Sequence, residues 1–130
     1  MKLDAVDYIV LVVSDLSTSV RFYTERLGLT LKHRSGAFAQ LETGRTRLAL
    51  YERSAMAETL GLEIHAPAAN APGFEIGFLV EDVDGAFAEL VAGGAVAVTA
   101  PTDRPWGQRT AYVRDPDGHL IELAQPLRRS

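Results

Sequence analysis

The chain has 130 residues, of which 47% are apolar and 23% charged, with a formal net charge of −4 and no cysteine. This length allows one domain with its own core, and the acidic balance argues against a nucleic-acid partner. The lack of cysteine excludes disulfides, thiolate metal sites and cysteine nucleophiles. The first apolar run, residues 8–13, is too short for a signal peptide or a membrane span. We therefore expect no nucleic-acid or membrane partner and, by default, a cytoplasmic location.

The first half of the chain predicts one strand, one helix and then three strands. Residues 8–13 form the first strand, and Asp15 stands where a helix-capping side chain belongs. The helix is indicated by apolar residues three or four positions apart, which share one helix face. These residues are Leu16, Val20, Tyr23 and Leu27. Gly28 is a typical helix stop, and strand-like segments follow at residues 29–34, 38–42 and 47–51.

Residues 52–73 separate this half from the next. A short helix is predicted around residues 54–60, and residues 65–73 have the Ala, Pro, Asn and Gly composition of a loop. A loop of this length in a compact domain is often functional, for instance as a lid. We therefore interpret residues 52–73 as a linker that could act as a lid.

The second half repeats the first. Val80-Glu81-Asp82-Val83 matches Val13-Ser14-Asp15-Leu16 at an offset of 67 residues (80 − 13). A strand at residues 75–80 precedes a helical stripe of Val83, Phe87 and Leu90, which Gly93-Gly94 ends. Strand-like segments follow at residues 95–99, 108–113 and 119–124. The last two flank Asp115-Pro116-Asp117-Gly118, which is typical of a hairpin turn, so each half reads βαβββ.

The alternation of side chains gives each predicted sheet two different faces. The apolar face, which suits the helix, carries Ile9, Leu11, Val13, Ile76, Phe78, Val80, Ile121 and Leu123. The opposite face carries Tyr8, Glu75 and Glu122. Two twisted sheets placed side by side would curve these opposite faces into a cup. We predict an α+β fold of two βαβββ modules that form a curved mixed-sheet cup with the helices outside, and Glu122 facing into the cup.

These patterns resemble the vicinal oxygen chelate superfamily, which contains glyoxalases, bleomycin-resistance proteins and extradiol dioxygenases. The resemblance rests on the repeat, on Val20-Arg21-Phe22-Tyr23 with Leu27-Gly28-Leu29, and on Arg114-Asp115-Pro116-Asp117-Gly118-His119-Leu120-Ile121-Glu122-Leu123. It covers essentially the whole chain and implies one domain over residues 1–130. Module 1 would span residues 4–51, the linker or lid 52–73, and module 2 residues 74–126.

In metal-dependent members of this superfamily, the ligands come from matching strand positions of both halves. The resemblance places Tyr8, Leu50, Glu75 and Glu122 at these positions. A leucine cannot bind a metal, and a phenol with a pKa of about 10 is a poor ligand at neutral pH. A divalent ion normally needs about three protein ligands. We therefore expect no metal or other cofactor; the alternative is a weakly bound divalent ion held by Glu75 and Glu122.

Other candidate ligand-binding residues join these positions. Trp106, the only tryptophan, could stack on a planar ligand, or it could serve only in packing. Gln108 and Tyr112 share a strand face, and Phe38 lies on the matching strand of the first half. The predicted ligand-binding set is Tyr8, Phe38, Leu50, Glu75, Trp106, Gln108, Tyr112 and Glu122. His33, His65 and His119 are interpreted as strand, loop and turn residues, because none has a second ligand at metal spacing.

Two functions remain open at this point. The first is a protein of glyoxalase/bleomycin-resistance type that binds or sequesters a planar organic ligand in the cup, as in antibiotic resistance; the ligand could be aromatic and cationic. The second is a divalent-metal-dependent enzyme of the same superfamily, a glyoxalase-like lyase or isomerase or a dioxygenase. The unsuited positions Tyr8 and Leu50 favour the first, and no catalytic residue is assigned. The resemblance also implies a homodimer, because family members complete their cups by pairing modules.

Overall fold

A computed structural model describes residues 1–2, 5–66 and 73–128 of the chain. The chain divides into two compact units, Met1–Ala66 and Pro67–Ser130, called unit 1 and unit 2 below. Each unit contains a four-stranded mixed sheet with a helix packed on it. The predicted α+β class and the two βαβββ modules are therefore confirmed. In these described ranges, no helix has the length and apolar character needed to cross a membrane.

Unit 1 follows the predicted order of one strand, one helix and three strands. Its elements are β1 Tyr8–Val13, α1 Leu16–Arg21, a π-helical turn Phe22–Arg26, β2 Leu31–Ser35, β3 Phe38–Leu41, β4 Arg47–Glu52 and α2 Arg53–Leu60. The strand order is β1-β4-β3-β2, in which β1 is parallel to β4 and the other neighbours are antiparallel. Parallel neighbours need a long connection, and the segment from α1 to β3 supplies it.

The first helix begins where the sequence predicts. Asp15 Oδ1 accepts a hydrogen bond from the backbone N–H of Thr18 at 3.0 Å, which satisfies one of the donors that a helix start leaves unpaired. The helix then widens into the π-helical turn, where the N–H of Leu27 donates to the carbonyl of Phe22. The N–H of Leu29 donates to the carbonyl of Tyr23. Leu29 therefore belongs to the helix end, and β2 begins later than predicted.

The core of unit 1 lies between α1 and the sheet. Its buried side chains are Leu11, Val13, Leu16, Val20, Tyr23, Ala39, Leu41, Leu48 and Leu50. Burying a valine or leucine side chain contributes roughly 1.5–3 kcal/mol relative to leaving it exposed. The helix-facing side predicted for β1 is thus where unit 1 buries most of its apolar surface.

Unit 2 repeats this arrangement. Its elements are β5 Glu75–Leu79, α3 Val83–Ala92, β6 Val96–Arg104, β7 Gln108–Arg114 and β8 Leu120–Pro126. The strand order is β5-β8-β7-β6, with β5 parallel to β8. Asp82 Oδ1 accepts from the N–H of Gly85 at 3.1 Å, and Gln125 Oε1 accepts from the N–H of Val83 at 2.9 Å. The buried core is formed by Val83, Leu90, Ala111, Val113, Ile121 and Leu123.

Strand β6 lies at one end of the unit 2 sheet and is longer than predicted. The sequence predicts a strand at residues 95–99, whereas β6 runs over Val96–Arg104. Its pairing with β7 shifts register twice, between Ala97 and Thr99 and between Thr99 and Thr102. Pro101 lies in the second irregular stretch. The irregular pairing lets the strand continue through a proline, which a regular interior strand does not tolerate.

The turn between β7 and β8 is organised by a buried carboxylate. Asp115 Oδ1 accepts from the backbone N–H groups of Asp117 at 2.9 Å and His119 at 2.8 Å. Asp115 Oδ2 lies 2.8 Å from Nδ1 of the His119 ring. Gly118 has a positive φ of 88°, a conformation that glycine adopts without strain. Because His119 serves this turn, β8 begins at Leu120, one residue later than predicted.

Candidate functional site

Each sheet has a helix-facing side and a second face. Helix α1 packs against β3 and β4, and α3 packs against β6, β7 and β8. Residues paired across neighbouring strands project to the same side of a sheet, so the register assigns each side chain to a face. The second face, turned away from α1 or α3, carries Tyr8, Val10, Phe38, Gln40, Arg47, Ala49 and Tyr51 in unit 1 and Glu75, Gly77, Tyr112, Arg114, Leu120 and Glu122 in unit 2.

Glu122 is anchored on the second face of unit 2. It lies directly opposite Tyr112, and the Tyr112 hydroxyl donates to Glu122 Oε2 at 2.7 Å. On its other side Glu122 lies opposite Gly77 of β5, and a β-carbon at Gly77 would be 3.2 Å from Glu122 Oε1. One carboxylate oxygen is therefore held by Tyr112, and the other lies beside the bare backbone of Gly77.

Glu75 adds a second carboxyl group to this face, two residues before Gly77 on the same strand. Burial raises the pKa of Glu75, and the negative charge of Glu122 and a hydrogen bond with it raise that pKa further. The pKa of Tyr112 is also raised, first by its hydrogen bond to Glu122 and then by burial. The cluster thus makes Glu75 a weaker acid than an ordinary glutamate, and it attracts positively charged or hydrogen-donating groups.

The second face of unit 1 has a different chemistry. The Tyr8 hydroxyl donates to Gln40 Oε1 at 3.2 Å, and the Arg47 guanidinium lies 4.2 Å from the centroid of the Tyr8 ring. The ring of Phe38 makes edge contacts with Tyr8, centroids 6.5 Å apart, and with Tyr51, centroids 6.3 Å apart. Unit 1 therefore presents rings and an amide where unit 2 presents carboxyl groups.

The register corrects one predicted ligand residue. The sequence aligns Leu50 with Glu122, but Val10 pairs with Ala49 just as Gly77 pairs with Glu122. Ala49 therefore occupies the position of Glu122. Leu50 pairs with Leu11, is fully buried, and lies on the helix-facing side, so its assignment to the ligand-binding set is wrong. A shift of one residue moves a strand side chain to the other face. Because Leu48, Ala49 and Leu50 are all apolar, the sequence pattern does not reveal the shift.

Trp106 and Gln108 form a separate group. Trp106 lies in the turn between β6 and β7, is 61% exposed, and donates from Nε1 to Gln108 Oε1 at 3.0 Å. Tyr112 lies four residues beyond Gln108 along β7, which corresponds to about 13 Å at about 3.3 Å per residue. The structure thus brings Glu75, Tyr112 and Glu122 together and places Trp106 with Gln108 some distance along the strand.

The histidines occupy three different settings. His33 pairs with Gln40, and this pairing places it on the second face of unit 1. The sequence alone does not decide on which face His33 lies. His65 is exposed after α2, with its Nε2 atom 3.9 Å from Glu63 Oε1. His119 belongs to the Asp115 turn. None of these positions adds a ligand beside Glu75 or Glu122 within unit 2.

Sequence reasoning did not single out Gly77, and it did not predict Arg47 as a neighbour of Tyr8. A glycine inside an otherwise apolar strand is a recognised sign of close approach by another group, so Gly77 carried a usable signal. Arg47 carried none, because its place beside Tyr8 depends on which residues of β1 and β4 pair. Gly77 shapes the surroundings of Glu122 in unit 2, and Arg47 shapes those of Tyr8 in unit 1.

The positions that the resemblance assigns to metal ligands do not fit a tightly bound metal ion. In unit 1 they hold Tyr8, whose hydroxyl donates to Gln40, and Ala49, which has no donor atom. Unit 2 offers only Glu75 and Glu122. Within the described residues, no three His, Cys, Asp or Glu side chains gather as a metal site requires. We therefore derive no reaction step through a metal.

Comparisons with known proteins agree with the fold and the repeat. The family described as Glyoxalase/Bleomycin resistance protein/Dioxygenase superfamily matches residues 5–123. Protein YraH of Bacillus subtilis is 37% identical over 121 residues, which cover 90% of this chain and 94% of YraH. The bleomycin resistance protein of Geobacillus stearothermophilus is 29% identical, covering 89% and 92% of the two chains. The crystal structure of a glyoxalase/bleomycin resistance protein/dioxygenase from Nocardioides superposes with a TM-score of 0.81 at 29% identity, covering 100% of this chain and 88% of the other.

Proposed function

The chain belongs to the glyoxalase/bleomycin resistance protein/dioxygenase superfamily, and we propose that it binds a small organic molecule through Glu122 and Glu75. The observation that supports this most directly is the anchored carboxylate of Glu122, held by the Tyr112 hydroxyl at 2.7 Å. A carboxylate fixed in this way is oriented before a ligand arrives, so little entropy is lost on binding. Glu75, two residues from Gly77, provides the second acceptor.

The ligand class follows from the charge of this cluster. Two neighbouring carboxyl groups repel each other when both are ionised, so a cationic group, or one that donates two hydrogen bonds, would relieve the repulsion. A planar amidinium or guanidinium matches a carboxylate with paired N–H groups. We therefore propose an organic cation as the ligand.

Aromatic side chains suit a planar part of the same molecule. Trp106 offers an exposed indole in unit 2, and stacking on it contributes roughly 0.5–1.5 kcal/mol beyond buried area. A ligand that stacked on Trp106 and also bonded Glu122 would have to reach along β7 from the level of Gln108 to that of Tyr112, which is about 13 Å. Gln108, which accepts a hydrogen bond from Trp106, remains a candidate for a further contact with this ligand, and the roles of Tyr8 and Phe38 in unit 1 stay predictions of the sequence.

The biological role that we propose is sequestration of such a molecule without chemical change. One relative is a bleomycin resistance protein, so planar antibiotics are the first compounds to examine. The alternative is a metal-dependent enzyme of the same superfamily, favoured only by the two carboxyl groups of Glu75 and Glu122. Metal content decides between them: one Zn, Ni, Fe or Mn ion per chain that survives dialysis would support the enzyme.

We also propose a cytoplasmic homodimer. In the described parts of the two units, β1 and β2 end one sheet and β5 and β6 end the other, and a sheet edge is a ready surface for pairing with another chain. Sedimentation should then give twice the chain mass of 14.1 kDa. A single species of chain mass at micromolar concentrations would contradict the dimer.

The binding proposal is tested by calorimetric titration with benzamidine and a panel of planar aromatic cations that includes bleomycin. Glu122→Gln should weaken binding about tenfold or more, because a charge-assisted hydrogen bond contributes about 1.5–3 kcal/mol. Glu89→Gln is the matched control, since Glu89 is an exposed residue of α3 and the change in charge is the same. Equal weakening by both substitutions, or no binding by any member of the panel, would refute the proposal.

The same titration tests the indole. Trp106→Ala should weaken binding of an elongated aromatic cation by roughly fivefold, which corresponds to about 1 kcal/mol. Because Trp106 is the only tryptophan, quenching of its fluorescence reports on this position alone. A compound that binds tightly and leaves the emission unchanged would show that Trp106 lies outside the site.

A further inference from the structure

Gly77 lies in the middle of β5, where glycine is an unfavourable choice. A strand interior gains no packing from glycine and loses more conformational entropy on folding than with alanine. The backbone does not demand glycine here, because φ at Gly77 is not positive. The pairing of β5 with β8 also runs through Gly77 without a register shift. The remaining reason for glycine is that another group needs the space.

The group that uses this space is the Glu122 carboxylate. A β-carbon on residue 77 would lie 3.2 Å from Glu122 Oε1 and 4.0 Å from Glu122 Cβ. The first distance is tighter than an ordinary van der Waals contact. Because Tyr112 holds the other oxygen at 2.7 Å, moving the carboxylate away from a methyl group would strain that hydrogen bond.

Unit 1 shows the reverse combination at the matching pair. Val10 of β1 lies opposite Ala49 of β4, so the larger side chain is on the strand that carries Gly77 in unit 2. Each pair thus combines one small and one larger residue. The larger residue is on the first strand of unit 1, β1, but on the last strand of unit 2, β8. Glu122 can extend towards β5 only because Gly77 is the small member of its pair.

We propose that Gly77 positions Glu122, setting the direction in which its carboxylate meets a ligand. Gly77 has no side chain to bind anything itself, so it acts through Glu122 and Tyr112. The positioning follows from the contacts above, whereas its effect on ligand affinity rests on the function proposed in the previous section.

The substitution that tests this is Gly77→Ala. Its methyl group should displace Glu122 by a few tenths of an ångström and weaken the hydrogen bond from Tyr112. The first readout needs no ligand: the carbon-13 signal of the Tyr112 ring carbon that bears the hydroxyl, assigned by its loss in Tyr112→Phe, should shift. The second readout is benzamidine affinity, which should fall by about tenfold, equivalent to about 1.4 kcal/mol.

A double-mutant cycle separates positioning from a general effect on the strand. In the Tyr112→Phe background Glu122 no longer has the hydrogen bond from Tyr112 to lose, so adding Gly77→Ala should change benzamidine affinity less than twofold. Gly73→Ala is the matched control, because a β-carbon at Gly73 meets nothing within 4 Å. It should leave both the Tyr112 signal and the affinity unchanged.

The two proposals fail in different ways. If Gly77→Ala leaves the Tyr112 signal in place, or weakens binding equally with and without the Tyr112 hydroxyl, the positioning role is refuted. If the signal shifts but the unchanged protein binds neither benzamidine nor any related cation, the positioning role stands and the proposed function falls.

Discussion

Units 1 and 2 have the same backbone plan but different second faces. Both place a parallel pair at one end of the sheet, followed by two antiparallel neighbours, and both start their main helix with a capping aspartate, Asp15 or Asp82. On the second face, however, Tyr8 matches Glu75, and Ala49 matches Glu122. Unit 1 covers the face with rings, and unit 2 equips it with carboxyl groups.

This difference shows that the two sides of each sheet serve different purposes. The helix-facing sides are mainly apolar in both units, because they bury the core. The second faces differ at the matched positions Tyr8 and Glu75, Val10 and Gly77, and Ala49 and Glu122. A repeated fold can therefore carry carboxyl groups in one copy and aromatic rings in the other around the same kind of apolar packing.

The largest expected effect comes from the helix-facing side of unit 1. Leu50→Ala should lower the free energy of unfolding by about 3 kcal/mol, because it removes a fully buried side chain and leaves a cavity. Urea denaturation measures the change, with Glu122→Gln as the contrast from the second face, where a change below about 0.5 kcal/mol is expected.

The contrast tests whether Leu50 is packed in the core. If its side chain were exposed, truncation would cost little stability. A loss below about 1 kcal/mol would therefore contradict the fully buried position.

The turns that precede β4 and β8 provide a second comparison. Asp115 organises the later turn with three contacts, whereas Thr43 organises the earlier one by accepting from the N–H of Leu48 at 2.9 Å and donating to the carbonyl of Thr46 at 2.8 Å. Asp115→Ala should lower the free energy of unfolding by about 2–3 kcal/mol, because its partners lose a buried charged acceptor. Thr43→Ala should lower it by about 1 kcal/mol. Thermal and urea unfolding of both variants give the values; equal costs would show that burial of Asp115 adds nothing.

The smallest expected effect concerns protonation on the second face of unit 2. The pKa of Glu75 is raised by burial first and by the charge of Glu122 second, so Glu122→Gln should lower the Glu75 pKa without returning it to the ordinary value. A carboxyl whose pKa is raised in the folded state stabilises folding most below its unfolded pKa of about 4.3, and this contribution is lost as pH rises through the folded pKa. In Glu122→Gln the stability lost through ionisation of Glu75 should be smaller, and the loss should be complete at a lower pH.

Carbon-13 titration of the Glu75 carboxyl measures this directly. Glu89→Gln, with the same change of charge on α3, should leave the Glu75 pKa as it is. An unchanged Glu75 pKa in Glu122→Gln would mean that burial alone raises it.

The sequence predicted the backbone well because the relevant signals are local. Apolar spacing, the capping residues Asp15 and Asp82, and the glycines gave the order of elements. The site was predicted in part: alternation placed Glu75 and Glu122 on one face, but it could not fix Leu50, whose face depends on a one-residue register between strands that are distant in sequence. The Tyr112–Glu122 hydrogen bond also depends on that pairing, so no local pattern reveals it.

Strand β6 has a consequence for how the protein behaves at high concentration. An end strand with exposed valines, such as Val96 and Val98, would ordinarily invite other molecules to add strands and build aggregates. Its two register shifts and the missing N–H of Pro101 interrupt the straight row of donors that such growth requires. The irregularity that makes β6 hard to predict from sequence therefore also makes this edge a poorer template for fibril-like stacking than a regular strand would be.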